Sequence, residues 1–239
     1  MSQPESTNVQ SDTSLPELQV KEFLTALAAR TPAPGGGSMT ALTAALAAAQ
    51  LRMVIAYTRG KPKFSAFEQI LEDYDARLTR AGILLCELMQ EDKAAYEALN
   101  PYMKMPLAQR HADPRYSALV AAAIGIPQAV GVTAANIVEA AEILRDKVNN
   151  MLISDLGVAA GTAMAAVESA EFNVLVNLPL LENKPAAKAI VLSLIELRQE
   201  SRRRYRLISE TLLKNLSAAF LQADCKQDRG LRGLRGLRG

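Results

Sequence analysis

Tryptophan is absent from this chain of 239 residues, histidine occurs once and cysteine twice. Aromatic residues make up only 5% of it, so platforms for stacking nucleic-acid bases are scarce. A lone histidine, His111, argues against histidine-rich metal sites and leaves a Ser-His-Asp triad without support. Cys86 and Cys225 lie far apart and form no CxxC pair. Neither a disulfide framework nor a zinc site is expected, and a reducing cytoplasm fits. Charge of one sign is also lacking: the formal net charge of +2 is too small to point to nucleic acid. No apolar run reads as long and clean enough for a membrane span, and the polar, acidic opening does not resemble a signal peptide.

What the chain does have is 49% hydrophobic residues, enough for one sizeable domain with a real core. Residues 1–16 are rich in Ser, Gln, Thr and Asn and read as a disordered tail. Residues 223–239 end in the repeat Arg229-Gly230-Leu231-Arg232-Gly233-Leu234-Arg235-Gly236-Leu237-Arg238-Gly239, which reads as an unstructured basic tail. A weak contact of that tail with an acidic surface is the alternative. Between the tails, residues 17–222 read as one all-α domain. Helices are expected over about 18–30, 38–59, 65–99, 116–178 and 185–222. The 65–99 helix would stop before Pro101, a loop or broken stretch would follow to Pro114, and the fourth would be interrupted or bent near Gly125, Pro127 and Gly131. Long helices with short connections predict an antiparallel bundle. Alanine-rich faces over 41–49 and 159–170 suggest close packing and burial against a second copy, hence a homodimer or larger oligomer.

The most informative motif is Thr31-Pro32-Ala33-Pro34-Gly35-Gly36-Gly37-Ser38. Prolines and glycines predict a compact turn, with Ser38 as N-cap of the next helix. Amides gathered at that helix N-terminus would suit an anionic or polar ligand group; a plain inter-helix turn is the simpler reading. Two carboxylates fall where a core should be. The stripe Ile70, Tyr74, Leu78, Ala81, Leu85, Leu88 continues to Asp92 and Tyr96. Burial there would raise the pKa of Asp92 and suit a general acid or base, unless the face meets solvent at that point. In the next long helix Asp155, Asn173 and Asn177 share a face with Ala159, Ala163, Ala166 and Ala170, leaving room for a flat ligand. Capping and interhelical hydrogen bonds are the alternative uses of these three. Arg59-Gly60-Lys61-Pro62-Lys63 either complements a helix C-terminus or recognises carboxylates. Arg202-Arg203-Arg204 reads as a solvated face.

Taken in order, these motifs resemble the formiminotransferase-cyclodeaminase C-terminal family. The resemblance rests on Phe23-Leu24 through Ser38, Gly60-Lys61-Pro62-Lys63-Phe64, Glu91-Asp92-Lys93-Ala94-Ala95-Tyr96, Ile126-Pro127, Ser154-Asp155-Leu156-Gly157-Val158-Ala159 and Asn173-Val174-Leu175-Val176-Asn177-Leu178. It spans about residues 17–222. The stretch Leu107–Tyr116 with His111 departs from the pattern, and Asn149-Asn150 stands where a glycine-asparagine pair is common. The family implies a dimerising helical fold that binds folate in a cleft involving the dimer interface, and an enzyme acting on the one-carbon bridge of tetrahydrofolate. With no room for a transferase domain, a methenyltetrahydrofolate cyclohydrolase is expected ahead of a formiminotetrahydrofolate cyclodeaminase or a non-catalytic folate-binding protein. The tetrahydrofolate derivative is the substrate; no cofactor, metal, nucleic acid or membrane partner is expected. Asp92 and Asp155 would be catalytic. Gly35, Gly36, Gly37, Ser38, Lys61, Asn173 and Asn177 would bind substrate.

Overall fold

The computed structural model describes residues 14–235, with side chains described as far as residue 218. Residues 1–13 of the expected N-terminal tail and 236–239 of the expected basic tail lie outside the described residues. All regular elements among the described residues are helical. Seven α-helices follow in order: α1 (Val20–Ala28), α2 (Gly36–Ala56), α3 (Glu68–Met103), α4 (Leu107–Ala112), α5 (Tyr116–Leu144), α6 (Ile153–Leu175) and α7 (Lys184–Arg235). α7 continues as backbone helix past Gln222, where the sequence reading ends the folded part. The glycines there lower helix propensity by about 1 kcal/mol each relative to alanine, but the Leu and Arg residues between them are good helix formers.

Apolar patterning places α2, α5 and α6 at the centre, with α3 and α7 packed against them. The alanines of α2 (Ala41, Ala44, Ala47, Ala48) and of α6 (Ala159, Ala160, Ala163, Ala166, Ala170) are buried in one core. These small faces bring helices together, because a methyl side chain lets backbones approach. They do not hold the expected slot for a flat ligand open. Gly131 of α5 serves the same end, since a β-carbon there would lie 3.2 Å from the Ala170 β-carbon.

Three helical spans are long and apolar enough to cross a membrane by length and composition: Gly36–Ala56, Tyr116–Leu144 and Asn150–Leu180, with mean hydropathies of 1.5, 1.7 and 1.3. This corrects the expectation that no such run exists. Helices in the middle of a bundle become apolar on several sides, but only 44% of the apolar stretch in each span is buried within the chain, and exposed apolar residues such as Met39, Leu46, Val158 and Phe172 supply part of the composition.

Two expected boundaries also move. α3 passes through Pro101 to Met103; a proline in the last turn costs one backbone hydrogen bond where the chain is about to leave the helix anyway. α5 runs unbroken past Gly125, Pro127 and Gly131, and the expected single fourth helix divides instead between Leu144 and Ile153. The division is pinned to the end of α2. The buried Thr58 hydroxyl donates to the Val54 carbonyl at 2.7 Å and accepts the Asn149 amide at 3.0 Å. Asn149 Oδ1 in turn accepts the Met151 amide.

α7 is fastened by arginines. Arg198 pairs with the buried Glu171 at 3.3 Å, Arg202 with Glu168 at 2.6 Å, and Arg204 with Glu142 at 2.7 Å and Glu139 at 3.3 Å. Of the Arg202-Arg203-Arg204 cluster, Arg202 and Arg203 are exposed, as a solvated face would be, with Arg203 paired to Glu200 of its own helix at 2.8 Å. Arg204 departs from that expectation and cross-links α7 to α5, and Arg202 adds an exposed link to α6. Glu171 is a buried carboxylate that no sequence spacing pointed out.

Candidate functional site

The glycine motif does not cap α2 as the sequence suggests. The N-cap is Gly35, and Gly36 and Gly37 form the first turn. Ser38, expected as the cap, sits inside that turn with its side chain fully buried. Its hydroxyl points sideways to α3, 3.1 Å from Asp92 Oδ2 and 3.2 Å from the Met89 carbonyl. The reason lies in space: a β-carbon on Gly37 would collide with the Asp92 carboxylate. Only a glycine lets Asp92 approach the start of α2.

This arrangement revises the idea of an anion cradle. The positive end of α2 is already occupied by a carboxylate of the same chain. Asp92 is half-buried, and burial pushes its carboxyl above the ordinary aspartate value, against the downward pull of the Ser38 side chain and backbone. Burial exceeds the hydrogen bonds in that balance. The outcome is a carboxyl poised to take and return a proton, fixed at a helix terminus.

The end of α6 completes the site. A β-carbon on Gly36 would meet Asn173 Oδ1 at 3.1 Å. Asn173 Nδ2 donates to Thr40 Oγ1 at 3.1 Å, while the Thr40 hydroxyl donates to the Gly36 carbonyl at 2.6 Å. Because the Thr40 proton is committed to Gly36, Thr40 acts as acceptor towards Asn173, which orients the Asn173 amide with its oxygen against the glycine turn. Asn177 Nδ2 reaches the Ala123 carbonyl of α5 at 3.0 Å and the Asn173 carbonyl at 3.1 Å. Thr40 was missed in the sequence, although its place two residues after the motif put it on the same turn. Around these polar groups the surface is apolar and open: Met39, Tyr96, Phe172 and Val176 are exposed, the last two by 70% and 71%.

So Gly35, Gly36, Gly37, Ser38, Asp92, Asn173 and Asn177 converge at one end of α2. Asp155 and Lys61 do not. Asp155 lies in the first turn of α6 and accepts a 2.9 Å hydrogen bond from Gln50 of α2. Gln50 stands about 21 Å along the helix from Gly36 at 1.5 Å per residue. Lys61 is exposed and follows the C-terminal end of α2, before the short Pro62–Phe67 3-10 turn. The length of α6 separates Asp155 from the asparagines: Asp155 stands in its first turn and Asn173 about 27 Å further along the same helix at 1.5 Å per residue, with Asn177 just past its end. Arg59 is drawn to Glu68 at 2.9 Å. His111 pairs with Glu182 at 2.7 Å and stacks on Tyr116, beside a recess of about 320 Å³ bordered by Ser117, Leu180 and Asn183. That recess does not include Asp92.

The family model for formiminotransferase-cyclodeaminase matches residues 19–193. The chain is 30% identical over 176 residues to methenyltetrahydrofolate cyclohydrolase of Methylorubrum extorquens, covering 71% of this chain and 83% of that one. It is 30% identical over 208 residues to the formimidoyltransferase-cyclodeaminase of Rattus norvegicus, covering 78% of this chain and 38% of the rat protein. The chain thus spans well under half the length of the rat relative. The crystal structure of formiminotetrahydrofolate cyclodeaminase from Thermotoga maritima superposes with a TM-score of 0.72 over 86% of this chain and 99% of that one, at 24% identity.

Proposed function

The chain belongs to the formiminotransferase-cyclodeaminase family, and on that footing we propose that it is an enzyme of folate one-carbon metabolism that hydrolyses 5,10-methenyltetrahydrofolate to 10-formyltetrahydrofolate, and catalyses the reverse. The observation that carries this reading is Asp92, a carboxyl with raised pKa held at the start of α2 beside the exposed apolar side chains of Met39, Tyr96, Phe172 and Val176. The methenyl bridge is a cationic amidinium, already electrophilic at carbon. A carboxylate favours that cation, and a positioned base suffices to add water.

In this mechanism water attacks the bridge carbon while Asp92 takes one of its protons. The carbinolamine then collapses: the carbonyl forms, the bond from carbon to N5 breaks, and Asp92 returns a proton to N5. The hydroxyl proton leaves to solvent, so the net products are 10-formyltetrahydrofolate and one proton. Asn173 Oδ1 accepts from a ring N–H of the pterin, and Asn177 holds Asn173 in place. The Gly35–Gly36 end of the turn, beyond the part that Asp92 occupies, faces a polar group of the substrate. No cofactor or metal enters, and nucleic acid and membranes play no part.

The active form in this reading is a homodimer. Exposed apolar side chains run the length of α2 and onto the residue that ends it (Met39, Leu46, Tyr57), and likewise along α6 (Val158, Phe172, Val176). A two-fold, antiparallel meeting of these faces carries Asp155 and Lys61 of one copy towards Asp92 of the other. There Asp155 orients the water or binds the pterin, and Lys61 meets the glutamate carboxylates. The names of the rat and Thermotoga relatives favour a second reaction, loss of ammonia from 5-formiminotetrahydrofolate. Supplying both substrates to the purified chain tests the proposal: turnover of the methenyl compound supports it, and turnover of the formimino compound alone assigns the deaminase. Binding of either without turnover assigns a folate-binding protein.

A further inference from the structure

The Ser38 hydroxyl has two acceptors and one proton. It is fully buried, so water is no partner, and its oxygen lies at nearly equal distances from Asp92 Oδ2 (3.1 Å) and the Met89 carbonyl (3.2 Å). Ionised Asp92 has only acceptor oxygens, and the serine proton must point at it. Protonated Asp92 is itself a donor, and the same geometry lets its O–H point at Ser38 Oγ. The serine proton is then free to turn to the Met89 carbonyl. We propose that Ser38 is a positioning residue that rotates its hydroxyl between Asp92 and Met89, so that Asp92 is hydrogen-bonded in both of its protonation states.

The inference rests on Asp92 being the acid–base group, and it adds what lets that group change state inside a packed site. A fixed donor would stabilise the carboxylate alone and hold the proton off; a fixed acceptor would do the reverse. A rotor serves both with no movement of heavy atoms. Met89 is buried at 2% exposure and belongs to α3, as does Asp92, so the two acceptors keep a constant spacing. The groups facing Asp92 across the site are uncharged: Gly37 and Ser38 from α2, with Asn173 of α6 beyond Gly36. Glu91 and Lys93 flank it on its own helix. Burial and Ser38 are the causes that set its proton affinity, which makes the hydroxyl a sensitive point of control.

The test is a titration of the Asp92 carboxyl carbon by NMR in the full-length chain, assigned with Asp92→Asn, in wild type, Ser38→Ala and Ser38→Thr. The Met89 carbonyl carbon is followed in the same samples, because a fixed donor to Asp92 would also move the Asp92 midpoint when removed. The expected result is a Met89 carbonyl shift that titrates with the Asp92 midpoint in wild type and Ser38→Thr and loses that response in Ser38→Ala. A Met89 carbonyl that stays flat through the Asp92 midpoint in wild type, or responds equally in Ser38→Ala, would overturn the proposal and leave Ser38 a fixed donor or a packing residue. If the Met89 signal switches but wild type turns over no folate, the rotor stands and the catalytic reading falls. If Ser38→Ala does not fold, Ser38→Cys replaces it, its weaker donor requiring a reduced Met89 response.

Discussion

Gly37 stands so close to Asp92 that a β-carbon at position 37 would occupy the space of the carboxylate. This fixes why a glycine run precedes α2: the chain needs a bare backbone where α3 presents its acid. The three glycines are not equivalent. A β-carbon on Gly35 meets nothing within 4 Å, one on Gly36 meets Asn173 Oδ1 at 3.1 Å, and one on Gly37 meets Asp92.

A graded series of alanine substitutions follows. Gly35→Ala should leave the melting temperature near wild type, Gly36→Ala should lower it slightly, and Gly37→Ala should cost about 1–3 kcal/mol as an overpacked contact. Gly37→Ala should also abolish the raised proton affinity of Asp92 by expelling the carboxylate. Thermal denaturation of the three variants checks the order; equal effects at 35 and 37 would contradict the packing account.

Asp92 also sets a pH dependence of stability. Burial raises its carboxyl in the folded chain above the unfolded value. Its contribution to stability is therefore complete below the unfolded pKa and is lost as pH rises through the folded one. Asp92→Asn stays neutral and escapes that loss. Chemical denaturation between about pH 3.5 and pH 7.5, a range that brackets ordinary carboxyl titration, should show the variant gaining on wild type as pH rises. A gap that stays constant would show that folding leaves this carboxyl unperturbed.

Thr40 orients Asn173 through one hydrogen bond of 3.1 Å. Thr40→Val keeps the shape and removes the acceptor. Losing one neutral hydrogen bond is worth about 0.5–1.5 kcal/mol. KM for the folate substrate should rise by roughly two- to tenfold on that scale, with kcat little changed. A change in kcat with KM intact would place Thr40 in the chemistry instead.

The paired arrangement of copies has its own check. Phe172→Asp and Val176→Asp each set a charge on the open face of α6. Sedimentation should show wild type as a dimer and the double variant as a monomer; because Phe172 and Val176 also border the Asp92 site, Val158→Asp, further along α6, is the variant in which dimer and turnover should be lost together. A monomeric wild type with full turnover would remove the shared site.

Much of the site could be read from spacing alone, because its residues are anomalies against a regular background. Asp92 stands out as a carboxylate on an apolar stripe, and Gly35-Gly36-Gly37 as a glycine run opening an alanine-rich helix. The use of that run was harder to see. Ser38 has the chemistry of an N-cap, but the partner that draws its hydroxyl away comes from α3, 54 residues later. Asp155 shares a helix with Asn173 as the spacing predicts, but steps of three and four report a shared face and not distance along the axis, and about 27 Å of α6 lies between the two. The end of α5 is hidden for a different reason: the same steps carry straight through the residues between Leu144 and Ile153, while the Thr58–Asn149 contact there is non-local. The alanine faces were ambiguous by nature: small side chains serve both a ligand slot and close packing, and only the approach of α2 to α6 decides between them. Arg204 alone leaves the solvated face expected of its cluster, because its partners Glu139 and Glu142 lie on another helix.

The measurement closest to the central claim is the decay of methenyltetrahydrofolate absorbance with wild type and Asp92→Asn side by side, corrected for spontaneous hydrolysis. General acid–base help is worth about 10²–10⁴ in rate. Wild type should accelerate the decay, with 10-formyltetrahydrofolate as product, and Asp92→Asn, still folded, should be slower by at least about 100-fold. A folded Asp92→Asn within threefold of wild type would contradict the account and take Asp92 out of the chemistry.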